Sequence, residues 1–151
     1  MNQIKGIIFD YGQTIHNSNE GGFVPNLEKM LEYLGLKYKL ALVSITVSET
    51  PQERRKKLDK QNVSKYFEQI LLVRHEDKSF ALQEVIDKWH LLPQQVAVVG
   101  DEVSKEIAWG NKNGCLTVWL QHGKFANILP NDETGQPAYT ICDLKELLDI
   151  F

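Results

Sequence analysis

Ile4-Lys5-Gly6-Ile7-Ile8-Phe9-Asp10-Tyr11-Gly12-Gln13-Thr14 carries a nearly unbroken apolar run that ends abruptly in a carboxylate. Ile7, Ile8 and Phe9 do not alternate with polar residues, which suits a strand buried on both faces, as in a parallel sheet. Asp10 then stands at the carboxyl end of that strand, where open α/β sheets place their ligands. Val96-Ala97-Val98-Val99-Gly100-Asp101 repeats the pattern later in the chain. Two buried strands that each present an aspartate at one sheet edge can hold a metal ion between them.

Outward from this pair, apolar strands alternate with helical patterns. The first strand, 4–9, is followed by a polar loop from Asn17 to Gly22 and a helix start at Pro25. Leu27, Met30, Leu31 and Leu34 recur at helical spacing, and Gly35 can stop the helix. Lys39 to Val43 reads as the second strand, ending at Ser44, and Pro51 to Gln61 as a polar helix. Phe67 to Val73 is the third strand. Ser79 is placed to cap a helix with Leu82, Val85, Ile86 and Trp89 on one face. After the strand 96–100, a helix over 103–113 ends at Gly114. Thr117 to Leu120 is the fifth strand, Tyr139 to Ile141 a short edge strand, and 143–150 a terminal helix. This alternation predicts an α/β fold with helices on both faces of a five-stranded parallel sheet, organised as one domain over 1–151.

A chain of 151 residues can bury one core without disulfide staples. The formal net charge of −3 argues against nucleic-acid and membrane-surface partners, which select for a basic excess. Cys115 and Cys142 have no metal-type spacing and make no disulfide framework, so a reducing, cytoplasmic setting is expected. Neither a signal peptide nor a membrane-length apolar stretch is expected.

Four strand ends or their following loops bear Asp10, Ser44, Lys78 and Asp101, all on the edge where a parallel sheet gathers its ligands. Their chemistry is complementary. A carboxylate can attack a phosphoryl group as nucleophile. A hydroxyl and an ammonium can hold the equatorial oxygens and offset developing charge. A second carboxylate can share Mg²⁺, which prefers oxygen ligands.

In order and spacing these motifs resemble the haloacid dehalogenase-like (HAD) superfamily over nearly the whole chain. The first family motif, an apolar strand followed by Asp-x-Asp-x-Thr, is matched by Ile7-Ile8-Phe9, Asp10 and Thr14. Ala41-Leu42-Val43-Ser44 matches the second, Lys78 the third, and Gly100-Asp101 with Glu106 the fourth. The resemblance implies a three-layer, Rossmann-like α/β/α core and a phosphatase-type hydrolase. Asp10 would be nucleophile and metal ligand. Thr14 and Ser44 would position the nucleophile loop and the phosphoryl oxygens, and Lys78 would stabilise Asp10 and the transferred group. Asp101 would be a further Mg²⁺ ligand, with Glu106 in support and the Gly12 carbonyl as a backbone ligand.

One departure bears on turnover. Phosphatases of the family carry an aspartate two residues after the nucleophile, which protonates the leaving group and later activates water; this chain has Gly12. General acid–base catalysis contributes about 10²–10⁴-fold, so alkyl phosphates should suffer most and aryl or acyl phosphates less. His16 is a candidate substitute base. The alternative is a phosphate- or metal-binding module with little turnover. The intervals Thr14–Ser44 and Ser44–Lys78 leave no room for a cap domain, so an open site is expected. Such a site suits a phosphorylated substrate that is bulky or macromolecular, or a neighbouring subunit acting as lid.

The run Arg54-Arg55-Lys56-Lys57 is expected to be a solvated helix face. Trp89, Trp109 and Trp119 are expected in the core or at its margin, and His75, His90 and His122 at the surface.

Overall fold

The computed structural model describes residues 3–17, 19–74 and 77–151. In chain order the strands and helices are β1 (Gly6–Phe9), β2 (His16–Asn17), β3 (Gly22–Phe23), α1 (Leu27–Gly35), β4 (Lys39–Ile45), α2 (Pro51–Lys60), β5 (Gln69–Val73), α3 (Ser79–Trp89), β6 (Val96–Gly100), α4 (Ala108–Asn113), β7 (Leu116–Leu120), β8 (Tyr139–Ile141) and α5 (Leu147–Ile150). Six strands form one sheet in the order β5-β4-β1-β6-β7-β8, every pairing parallel. The sheet thus has six strands where five were expected. The edge strand β8 joins through Val118↔Tyr139 and Leu120↔Ile141. Of its three residues, Ile141 alone is buried, so its apolar signal is weak.

β1 lies inside the sheet and is buried throughout. Ile7 and Phe9 pack with Leu40, Leu42, Ala97 and Val99 toward α1, α5 and Leu58 of α2. Ile8 packs with Ala41, Val43 and Val98 toward Leu82, Val85 and Ile86 of α3. Side chains alternate between faces, yet both faces are apolar, which explains the unbroken hydrophobic run. Gly6 is required where α3 crosses, because a Cβ there would stand 2.6 Å from the Trp89 ring.

Several local expectations are corrected. The loop Asn17–Gly22 is partly a two-stranded antiparallel ribbon, β2–β3. α1 begins at Leu27, after Asn26 takes a left-handed conformation (φ 60°), rather than at Pro25. Ser79 is the first residue of α3, not its cap; Asp77 Oδ1 instead accepts the Ser79 N–H at 2.8 Å. The helix expected over 103–113 starts as a π-helical stretch, Val103–Ile107, before α4. In that stretch Val103 and Ile107 pack on Trp119, and Glu106 is buried. Terminal helix 143–150 is a 3₁₀ turn, Leu144–Glu146, followed by α5, with an Asp143–Glu146 capping box at its start. Among the described residues no helix is long and apolar enough to cross a membrane.

Candidate active site

Parallel register carries the chemistry to one edge. Phe9 pairs with Leu42 on one side and Val99 on the other, so the chain leaves β1, β4 and β6 at nearly the same height. Asp10 follows β1 directly and donates its N–H to Val99 O at 3.1 Å. Ser44 lies near the end of β4, Asp101 follows β6, and Lys78 stands just before α3. Asp10, Gly12, Ser44, Lys78, Asp101 and Glu106 all line one cleft of about 250 Å³.

Lys78 is the hub. Its ammonium is buried and donates to Asp10 Oδ1 at 2.9 Å, to Val43 O at 3.3 Å, and to Glu106 Oε1. Burial works against its charge, but the Asp10 and Glu106 carboxylates overcome that and raise the pKa above the ordinary lysine value. Asp10, Asp101 and Glu106 bring carboxylate oxygens within 4.8 Å of one another. Burial, then the neighbouring Asp10, drives the Asp101 carboxyl well above the usual aspartate range. Glu106 is raised by burial and Asp10 against the opposing pull of Lys78.

Three carboxyl groups therefore cluster here, two of them paired with Lys78. Asp101 Oδ2 and Glu106 Oε2 are buried without a hydrogen-bond partner. A hard divalent cation answers both features, and all-oxygen ligation is what Mg²⁺ takes. Two supports fix these groups. Trp119 Nε1 donates to Asp101 O at 3.0 Å. A Cβ on Gly100 would stand 2.6 Å from Glu106 Oε2, so glycine makes room for that side chain.

The sequence reading missed Arg54. It belongs to the basic run expected to be a solvated face, yet its side chain is mostly buried and lines the cleft. Arg54 Nη1 donates to Ser44 Oγ at 2.7 Å and to Ile45 O at 2.8 Å, while Nε donates to Glu49 Oε1 at 2.7 Å. Its guanidinium lies over the Tyr11 ring, 4.2 Å from the centroid. Lys57, also bound to Glu49 at 2.6 Å, is half exposed. A signal was present: Thr50-Pro51-x-Glu53 is a capping box, and it forms. It starts α2 a few residues after β4, so the first turn faces the strand end. Lys105 and Lys124 also line the cleft.

Thr14 is fully buried and its Oγ1 has no hydrogen-bond partner; it lines a separate cavity with His122. The structure thus brings the other expected site residues together without it. His16 stacks on Tyr11 at 4.9 Å, and burial with the Lys57 and Arg54 charges lowers its pKa. It is not among the residues lining the cleft. Trp89 and Trp119 are buried and Trp109 is half-buried. His90 is exposed, His122 pairs with Asn17 at 3.0 Å, and His75 lies outside the described residues.

Fold and motif order together define a phosphatase-like protein of the HAD superfamily. The putative HAD-hydrolase YfnB of Bacillus subtilis, solved bound to magnesium, superposes with a TM-score of 0.79 over 99% of both chains at 13% identity, a likeness of fold. The mitochondrial PGP phosphatase family model matches residues 1–124, and the chain belongs to that family. It is 26% identical over 132 residues to a glyceraldehyde 3-phosphate phosphatase of Pyrococcus furiosus, covering 84% of this chain and 53% of that protein. It is 33% identical over 58 residues to the enzyme of the same name from Methanopyrus kandleri, covering 38% of this chain and 25% of that one. The chain therefore spans about half the length of one relative and a quarter of the other.

Proposed function

We propose that this chain is a Mg²⁺-dependent phosphohydrolase that works through an aspartyl-phosphate on Asp10, with an open site lacking a cap. The observation that carries this reading is the convergence of Asp10, Lys78, Asp101 and Glu106, with two buried carboxylate oxygens left without partners. Asp10, Asp101, Glu106 and the Gly12 carbonyl would hold the metal. When bound, it would neutralise phosphate charge against the anionic nucleophile.

The remaining roles belong to the chain. The Lys78 ammonium pairs with Asp10 at 2.9 Å and offsets charge on the transferred group. An Asp10 carboxylate oxygen attacks phosphorus, the bond to the leaving oxygen breaks, and that oxygen departs with the electron pair. Ser44 accepts from Arg54, so its own hydroxyl hydrogen is available to a phosphoryl oxygen. Water then attacks the aspartyl-phosphate, releasing phosphate and restoring Asp10. The family and relatives' names point toward phosphate monoesters as substrates. An open site admits a bulky one, and no nucleic-acid or membrane partner is proposed.

Gly12 favours a second reading, a phosphate- or metal-binding module with little turnover. The test is hydrolysis of phenyl phosphate by the wild type and Asp10→Asn, with Mg²⁺ and with chelator. Activity that requires both Asp10 and the metal is expected. A folded wild type that binds Mg²⁺ but never turns over would instead establish the binding module.

A further inference from the structure

An ammonium has three N–H donors, and those of Lys78 go to Asp10 Oδ1, Val43 O and Glu106 Oε1. Lys78 therefore acts on a phosphoryl group through its charge, and hydrogen bonds to the equatorial oxygens must come from elsewhere in the cleft. Arg54 lines that cleft beside Asp10 and Ser44. Its Nε donates to Glu49 Oε1 and its Nη1 to Ser44 Oγ and Ile45 O, whereas Nη2 makes no hydrogen bond among the described residues. The capping box at Thr50 fixes the start of α2, and Arg54 N–H donates to Thr50 O at 3.1 Å, so the side chain leaves an ordered first turn. A mostly buried guanidinium that keeps one amino group unspent beside the nucleophile is a ready ligand for an anionic oxygen.

We propose that Arg54 is a direct ligand of the transferred phosphoryl group, sharing its oxygens with the Ser44 hydroxyl, and that Tyr11 is the positioning residue that aims it. The proposal rests on the phosphohydrolase reading and adds a cation to that site. Two supports hold the guanidinium: the Glu49 carboxylate at 2.7 Å and the Tyr11 ring, whose centroid lies 4.2 Å from Cζ. Burial pushes the Tyr11 hydroxyl up to about 12, so it stays neutral and the attraction comes from the ring face. The buried hydroxyl has no hydrogen-bond partner, which leaves the ring to carry the role. That ring is itself pinned. Tyr11 O accepts from the N–H groups of Thr14, Ile15 and His16 at 3.2, 3.1 and 3.0 Å, a tight turn that folds His16 back onto the ring. The two rings stack 4.9 Å apart and 12° from parallel, and Phe23 of β3 meets both edge-on at 5.9 and 5.0 Å. The ribbon β2–β3 grips Tyr11, Tyr11 carries Arg54, and Arg54 meets Ser44. His16 thereby has a place in this packing rather than in proton transfer.

The test titrates inorganic phosphate into the full chain by calorimetry in Mg²⁺ buffer, a readout that needs no turnover. Arg54→Met should weaken phosphate binding about 10- to 100-fold, the scale of a hydrogen bond to a charged group. Arg54→Lys should recover only part of that loss. Tyr11→Leu keeps apolar bulk but removes the ring face, and should weaken binding about 3- to 10-fold. The conservative Tyr11→Phe should restore the wild-type value. In the Arg54→Met background Tyr11→Leu should have no further effect, because its influence passes through the guanidinium. Phosphate affinity in a folded Arg54→Met within about twofold of the wild type would overturn the ligand role. A Tyr11→Leu loss that persists without Arg54, or that Tyr11→Phe shares, would overturn the positioning role. Either result leaves the phosphohydrolase reading standing where turnover still requires Asp10 and Mg²⁺. Failure of the folded wild type to bind phosphate at saturating Mg²⁺ would overturn both.

Discussion

Arg54 Nη1 donates to Ser44 Oγ at 2.7 Å while its guanidinium lies over Tyr11 with Cζ 4.2 Å from the ring centroid. The hydroxyl oxygen is thereby fixed as an acceptor, and its hydrogen remains free to serve a phosphoryl oxygen. Arg54→Met should lower kcat/KM about 10- to 100-fold, the scale of a hydrogen bond to a charged group. Arg54→Lys should recover only part, because an ammonium cannot reproduce the fork shared by Glu49, Ser44 and Ile45 O. Steady-state kinetics with phenyl phosphate decide it; unchanged kinetics in Arg54→Met would remove Arg54 from the site.

At Gly12 an added Cβ meets nothing within 4 Å, and the backbone there is not in the left-handed region. Gly12→Asp should therefore fold normally and supply the missing acid. Hydrolysis of alkyl phosphates is expected to rise about 10²-fold, the lower end of what general acid–base catalysis contributes, with a smaller gain for aryl phosphates. Turnover of glycerol phosphate and phenyl phosphate by both proteins measures this. An equal or absent gain, with Mg²⁺ binding intact, would count against the assigned role of position 12.

Asp101 and Glu106 keep their protons to higher pH in the folded chain than in the unfolded one. The folded state then binds more protons above the ordinary carboxylate range, so stability falls as pH rises through that interval. His16, whose pKa is lowered, acts oppositely but only below the usual histidine value, and Lys78 changes nothing until far higher pH. In chelator the melting temperature should fall from about pH 6.5 to about pH 8. Mg²⁺ and Asp101→Asn should each flatten that slope. A melting temperature that climbs over the same interval in chelator would contradict the buried acidic cluster.

Gly100→Ala would set a Cβ 2.6–2.8 Å from Oε2, Cδ and Cγ of Glu106. The glutamate must then leave Lys78 or force β6 to shift. A loss of about 1–3 kcal/mol is expected from overpacking, with Mg²⁺ affinity down roughly tenfold or more through the displaced ligand. Chemical denaturation and metal titration check the two effects separately. Wild-type values for both would mean that Glu106 does not need this space.

The strand ends were legible because burial on both faces leaves an apolar run that polar residues interrupt abruptly, as at Phe9-Asp10 and Gly100-Asp101. Topology then gathers distant positions at one edge without any further signal. Arg54 was not legible in this way: in a sequence, a long basic side chain on a polar helix reads as solvated, and only its reach back to Ser44 shows otherwise. Thr14 fits the motif by spacing, but the tight turn after Tyr11 buries it away from the cleft. β8 was faint because a three-residue edge strand needs just one inward side chain. The π-helical stretch at Val103–Ile107 leaves no compositional mark at all.

β1 is hydrogen-bonded along both edges and solvent reaches none of its side chains. Amide protons at Ile8 and Phe9 should consequently exchange with deuterium only when the whole chain opens, whereas those near the two-residue ribbon β2–β3 should exchange through local fraying. Asp10, the proposed nucleophile, directly follows this strand, so neighbouring loops are expected to fluctuate without loosening its aim.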